Sequence, residues 1–221
     1  MWAEREALFA RLPTARADPH VTTLELWSGN RNREHKTPLE EKRGSERLPH
    51  VVTDLRVLTV THWGFDNRLH TGQLIVNKDS AAPLARVFHR LYDLRFPIRH
   101  LLLADAYGPA RSRPADNDIS GSFECRQAIA SPCSSRVRKG NGTWSEHAYG
   151  RAVDLNPVEN PYVGCGMSRD PKSRRYLDRS RLRRGMVTPA VVAAFRSIGW
   201  GWGGDWSGST KDYMHFSASG H

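Results

Sequence analysis

The order of apolar and turn-forming residues predicts an α+β fold, with a mainly antiparallel sheet and a few packed helices. Three observations carry this. The run LRVLTVTHW at Leu55–Trp63 and the run GQLIV at residues 72–76 are rich in β-branched and aromatic residues, and the turn residues Gly64-Phe-Asp-Asn-Arg68 separate them, so a hairpin is expected. Helical periodicity is confined to two later segments. No alternating strand–helix period runs through the chain, which argues against a parallel sheet.

The first fifty residues differ from the rest. Residues 3–12 suit a short helix, and residues 28–49 (SGNRNREHKTPLEEKRGSERLP) are polar, charged and nearly free of large apolar side chains. Such composition reads as an exposed loop or linker. Residues 1–50 are therefore expected to be an N-terminal extension, and residues 51–221 the globular domain.

After the hairpin, Asp79 or Ser80 is expected to cap a helix with Pro83 in its first turn. Leu84, Val87, Phe88, Leu91 and Tyr92 fall on one face of that helix. Pro97 should end the segment, and residues 98–104 read as a buried strand. Residues 108–144 are rich in Gly, Ser, Pro, Asn and Arg, and a loop of this length in a compact domain usually serves function or moves. Further on, Thr188 is placed as an N-cap, Pro189 as the first helical residue and Gly199 as the stop. Val191, Val192, Phe195 and Ile198 form the inward face of that helix, and a last strand is expected over residues 213–217.

The chain has 221 residues, 38% of them hydrophobic and 25% charged, which fits one globular domain with an appended segment. No apolar run is long enough for a transmembrane helix, and the start Met1-Trp-Ala-Glu-Arg-Glu shows no secretory signal. The net charge of +10 favours polyanionic partners: nucleic acid, anionic membrane or the phosphate-rich polymers of a bacterial wall. Cys125, Cys133 and Cys165 are an odd number, so a fully paired intrachain framework is excluded. One disulfide with one free thiol, or three free thiols, both fit. Cys133 and Cys165 lie in the more flexible loops and are the favoured pair.

The chemistry concentrates in Ser145-Glu-His-Ala-Tyr-Gly-Arg-Ala-Val-Asp154 and, 61 residues beyond that aspartate, His215. Two imidazoles, a ligand carboxylate and a spare carboxylate, Asp212, are the components of a catalytic zinc site, in which three protein ligands leave a fourth position open. His147 and Asp154 are seven positions apart and would face opposite sides of an unbroken strand. Gly150 must therefore turn the chain between His147, in a turn, and Asp154, on the strand that follows. Asp212 and His215 are three apart and meet the same constraint, which places Asp212 in an entry turn and His215 on the strand. His20, His35, His50, His62, His70, His89 and His100 read as ordinary surface or core residues.

SEHAYGRAVD resembles the Ser-x-His-x-x-Gly-x-Ala-x-Asp signature of the zinc D-Ala-D-Ala carboxypeptidase and L-alanyl-D-glutamate peptidase family, which includes VanY-like enzymes and single-domain phage endolysins. Trp200-Gly-Trp-Gly-Gly-Asp-Trp206 followed by Asp212-Tyr-Met-His-Phe216 resembles that family's C-terminal block. The likeness covers residues 52–217. It implies a hedgehog/DD-peptidase-like fold, one zinc ion held by His147, Asp154 and His215, and Asp212 as general base and acid. Ser122-Phe-Glu-Cys-Arg126 is similar to the family's Ser-x-x-x-Arg element, which implies that Arg126 holds substrate or polarises the scissile carbonyl. Glu124 and Cys125 between them depart from the family pattern. Ser145 is expected to orient the ligand turn, and Trp202 stands among four tryptophans, one or two of which are expected to line the cleft.

The resemblance implies a zinc peptidase acting on the peptide stem of peptidoglycan. L-alanyl-D-glutamate endopeptidase activity is favoured, and D-alanyl-D-alanine carboxypeptidase activity is the alternative. A non-catalytic zinc-bearing wall-binding domain is a second alternative. The expected partner is the anionic cell wall, with a monomer acting outside the cytoplasm, either exported or released by lysis. A nuclease reading is disfavoured because Lys and Arg are scattered and no nucleic-acid module signature is present.

Overall fold

The computed structural model describes the main chain of residues 21–26 and, with side chains, most of residues 54–107, 112–129, 133 and 143–221. The helix expected over residues 3–12 and the polar loop expected over residues 28–49 lie outside the described residues. The fold is α+β. Strands β1 (Val21–Leu26), β2 (Leu55–Trp63) and β3 (Leu69–Asn77) form one antiparallel sheet in that order. β1, unassigned from sequence, lies within the first fifty residues and pairs with β2 through Leu24 opposite Leu58 and Leu26 opposite Arg56.

The β2–β3 hairpin closes through Gly64, whose amide donates to the Arg68 carbonyl at 2.8 Å, with Asn67 at φ 62°. Helix α1 (Lys78–Asp93) follows directly. Its cap is Asn77, not Asp79 or Ser80: the Asn77 side chain accepts from the Asp79 amide. The helix therefore starts earlier than its polar pair suggested, and Pro83 lies inside it rather than in its first turn. Leu84, Val87, Phe88 and Leu91 are buried, as one helical face requires.

Residues 98–104 do not form a strand. Trp63 bridges Pro97 and His100 bridges Ile119, each in isolation. A side chain supplies the missing partners: Asn156 Oδ1 accepts from the Arg99 amide at 3.1 Å, and Asn156 Nδ2 donates to the Pro97 carbonyl at 2.8 Å. The Ile98 amide donates to the Trp63 carbonyl, and the His100 and Leu101 carbonyls accept from the Ser120 and Gln73 amides, so scattered partners satisfy this backbone without a continuous ladder.

A second antiparallel sheet has the order β4 (Ala152–Asp154), β8 (His215–Ser217), β6 (Gly201–Trp202). A two-stranded ribbon pairs β5 (Tyr162–Val163) with β7 (Lys211–Asp212). Helix α2 (Pro189–Arg196) has Thr188 as its N-cap, with the Thr188 hydroxyl accepting from Val191 N, and the chain leaves through Gly199 at φ 82°. Leu58, Val60, Leu74 and Val76 of the hairpin, the buried face of α1, Val191 and Phe195 of α2, and Val153 and Phe216 of the second sheet share one core. Phe195 stacks on Phe216 with ring centroids 3.9 Å apart. The second sheet is thus fixed against both helices, with its other face free to carry polar side chains.

Cys133 and Cys165 are joined by a disulfide, and Cys125 is free. The bridge ties the long loop to the segment just after β5.

Candidate metal centre

Three constraints assemble the site. The first is the turn between His147 and Asp154. Residues Glu146–Tyr149 form one 3-10 turn, capped by Ser145, whose hydroxyl accepts from the His147 amide at 3.3 Å. Gly150 then adopts φ 64° and reverses the chain into β4. A Cβ there would also lie 2.7 Å from the Asn77 amide nitrogen, so the position excludes side chains twice over. The Asn77 amide donates to the Gly150 carbonyl at 2.8 Å, and its side chain donates to the Tyr149 carbonyl at 3.2 Å. The start of α1 therefore holds the turn that carries His147.

The second constraint is the strand register. Asp154 pairs with His215 across β4 and β8, and Gly121 brackets Asp154 from the other side, with main-chain bonds of 2.8 and 3.0 Å. The third is the separation of Asp212 from His215. Asp212 lies on its own short strand rather than in the expected turn, opposite Tyr162, and residues 213 and 214 turn the chain before His215 opens β8. The β5 pairing supplies backbone partners that a turn would lack. The two residues occupy different strands, so the parity conflict disappears by another route.

The result is a cluster of His147, Asp154 and His215, each offering one ligand atom, with those atoms within 4.8 Å of one another. His147 Nε2 lies 3.2 Å from His215 Nδ1 and 3.2 Å from Asp154 Oδ2, and His215 Nδ1 lies 3.1 Å from Asp154 Oδ1. The outward ring nitrogens decide what these inward atoms are. His147 Nδ1 sits 2.5 Å from the Ser122 carbonyl oxygen, and His215 Nε2 sits 3.3 Å from the main-chain oxygen of His221. A carbonyl oxygen only accepts, so each outward nitrogen carries the proton. Both inward nitrogens of the neutral rings then present lone pairs, facing each other and a carboxylate. Three acceptors converge without a donor, which is the environment a cation completes. Two imidazole nitrogens and one carboxylate oxygen are also the donor set of a catalytic zinc site.

A proton competes with a cation for this place, and the electrostatics show it. Burial works against charge on Asp154, yet His147 and then His215 hold its carboxyl far below the usual carboxylate range. Burial likewise opposes the His147 imidazolium, but the charge and hydrogen bond of Asp154 outweigh it and raise the imidazole.

Asp212 stands apart from the trio. One of its oxygens, Oδ1, is buried with no hydrogen-bond partner among the described residues. Burial, then the Asp154 charge, pushes its carboxyl up to about 7, with His215, His147 and Arg126 opposing. Gly203 permits this approach, because a Cβ there would collide with the Asp212 carbonyl.

Ser122 acts through its main chain: its carbonyl holds His147, while its hydroxyl donates to the Ala152 carbonyl at 2.6 Å. Arg126 pairs with Glu124 at 2.8 Å and also donates to the Gln127 carbonyl. Its charge is felt at both His147 and Asp212. Trp202 packs on Tyr213 and Phe216 and donates to the Tyr213 carbonyl at 2.9 Å, bracing the turn between Asp212 and His215. The tryptophan against the cluster is Trp206, with its ring 5.7 Å from that of His215. Trp206 is one of the four tryptophans, with Trp144, Trp200 and Trp202, expected to flank the site, and no spacing rule separates it from Trp200, which is buried in the core.

The α+β fold thus brings together a convergent His–Asp–His group that could hold a metal ion, with the Asp212 carboxylate beside it. Residues 139–218 match the family model described as D-alanyl-D-alanine carboxypeptidase, which supports the peptidase family that both sequence motifs resemble. The matched segment contains His147, Asp154, Asp212 and His215; Ser122 and Arg126 precede it. No curated protein and no solved structure matches the chain.

Proposed function

We propose that this protein is a zinc metallopeptidase that hydrolyses the peptide stem of bacterial peptidoglycan. The observation that carries this reading is the convergence of three acceptor atoms without a donor, next to a buried and unpartnered Asp212 oxygen. His147, Asp154 and His215 would hold one zinc ion, which supplies Lewis acidity to a water and to the scissile carbonyl. Asp212 takes the proton from the attacking water and returns it to the departing nitrogen, a role suited to a carboxyl with a raised pKa. Arg126 offers a fixed cation where negative charge develops on the carbonyl oxygen. For that it must leave Glu124 or share its guanidinium with substrate. Ser122 and Ser145 keep His147 oriented.

L-alanyl-D-glutamate endopeptidase activity is the finer reading, supported by the resemblance of the Trp200–Trp206 block to endolysin-like relatives. The description of the matching family favours a second reading, D-alanyl-D-alanine carboxypeptidase. The net charge of +10 suits an anionic wall, with an attraction that weakens as salt rises. No described helix is long and apolar enough to cross a membrane. The catalytic unit is taken as residues 51–221, acting as a monomer at the wall, with residues 1–50 as an extension whose strand β1 completes the first sheet by pairing with β2.

Digestion of purified peptidoglycan, followed by mass spectrometry with and without a chelator, tests the proposal. New N-terminal D-Glu supports endopeptidase action, and free D-Ala alone supports the carboxypeptidase. Zinc and wall binding with no hydrolysis would leave only a binding domain. Cleavage undiminished by chelation would remove the metal from the reading.

A further inference from the structure

The motifs give no role to the last three residues, and the matched family segment ends at residue 218. Yet the main-chain oxygen of His221 is where His215 directs its outward nitrogen, at 3.3 Å. That oxygen also accepts from the Ser217 hydroxyl at 3.0 Å and the Ser219 hydroxyl at 3.3 Å. The tail is folded into place by several independent contacts. Gly220 takes φ 80°, and its amide donates to the Ser217 carbonyl at 3.2 Å. The Trp206 indole donates to the Gly220 carbonyl at 2.6 Å. Gly201 leaves room for Gly220, since a Cβ on Gly201 would lie 2.6 Å from the Gly220 Cα. Trp206 lies between the His215 and His221 rings, tilted to the first at 5.7 Å and stacked on the second at 6.4 Å. Two members of the tryptophan–glycine block, Gly201 and Trp206, thus dock this tail against the back of a metal ligand.

We infer that the tail formed by Ser219, Gly220 and His221 is a positioning element for the metal ligand His215, acting through the main-chain oxygen of His221. The inference rests on the reading of His215 as a zinc ligand. A ring whose Nε2–H is held by an acceptor offers Nδ1 as its lone pair, in one orientation and at raised basicity. His147 receives the equivalent service from the Ser122 carbonyl, within the core of the domain. His215 receives it from the segment Ser219–His221, which the matched family segment does not include.

The test uses the full chain, a variant ending at Ser219, His221→Ala and Trp206→Phe. Zinc affinity is measured by chelator competition, the absorption spectrum is recorded with cobalt in place of zinc, and thermal unfolding of the metal-free protein is followed. Loss of a partner that orients a ligand weakens metal binding by roughly 10- to 100-fold. The truncated chain is expected to lose affinity in that range and to change its cobalt spectrum, with metal-free unfolding little altered. His221→Ala keeps the main-chain oxygen and should bind as the parent does. Trp206→Phe keeps the ring but loses the bond to Gly220, and should fall between the two. Unchanged affinity and spectrum in the truncated chain would overturn the inference, and so would His221→Ala behaving like the truncation. His215→Ala separates this from the underlying reading: if it too leaves zinc affinity unchanged, the ligand assignment has failed rather than the tail's role.

Discussion

Asp154 and His215 are direct cross-strand partners, and their side chains meet at 3.1 Å on the polar face of a ladder whose other face is buried core. A one-residue slip of either strand would turn its member of this pair into the core, so the packing of Val153 and Phe216 also sets the geometry of the candidate metal site. Asp154→Asn keeps the shape and the main-chain ladder while removing the charge. Zinc affinity, read by chelator competition, is expected to fall by more than the roughly 100-fold that loss of a supporting partner costs. Retention of parental affinity would show that Asp154 is not a ligand.

Asp212→Asn should separate binding from chemistry. Asp212 lies beside the trio but contributes no atom to it. Zinc affinity should stay close to that of the parent, while hydrolysis of peptidoglycan falls by roughly 10²- to 10⁴-fold, the usual contribution of a positioned acid or base. Near-parental turnover in this variant would move the proton carrier elsewhere.

Gly150→Ala combines a left-handed backbone with a contact at 2.7 Å to the Asn77 nitrogen. The conformational penalty alone is about 1–2 kcal/mol, and the contact adds to it because backbone rather than a flexible side chain is in the way. Urea unfolding should show a loss of about 2 kcal/mol or more. Zinc affinity should drop as well, since the turn carries His147. A loss of stability below about 0.5 kcal/mol would mean that the turn relaxes freely.

Glu159 makes stability depend on pH. It is buried, and Arg99 bonds both Glu159 Oε1, at 2.8 Å, and Asp118, at 2.7 Å, so one guanidinium answers two carboxylates. Burial first, then Asp118, pushes the Glu159 carboxyl up to about 7 from an ordinary 4.5, against the pull of Arg99. Between those two values the folded protein holds a proton that the unfolded chain releases. The contribution is fully present below about pH 4.5 and is lost as pH rises to about 7. Melting curves collected from pH 4.5 to 8 should therefore decline more steeply for the parent than for Glu159→Gln. Parallel pH profiles would exclude Glu159 as the source.

Much of the fold could be read from local pattern. The hairpin, the buried face of α1 and the Thr188–Pro189 start of α2 follow from periodicity and capping chemistry, which depend on neighbours along the chain. Residues 98–104 are not a strand because an apolar run is equally compatible with a ladder and with a segment whose backbone partners are scattered, a distant side chain among them. Asn156 lies 57 residues from Arg99 along the chain, and no local window connects them. The Cys133–Cys165 pair was favoured from loop composition, but its closure depends on where two loops meet.

By itself, the sequence determined the residue types of the site and one firm geometric demand: His147 and Asp154 cannot share a regular strand, so Gly150 must turn between them. It could do this because side-chain parity is a property of the local backbone. Only the tertiary structure decided which ring nitrogens face inward, that Asp212 sits on a separate strand with a buried unpartnered oxygen, and that Trp206 and the main-chain oxygen of His221 stand behind His215. Those facts depend on carbonyl oxygens and rings brought together from distant parts of the chain. A hydrogen bond to a backbone oxygen leaves no mark on the identity of the residue that supplies it.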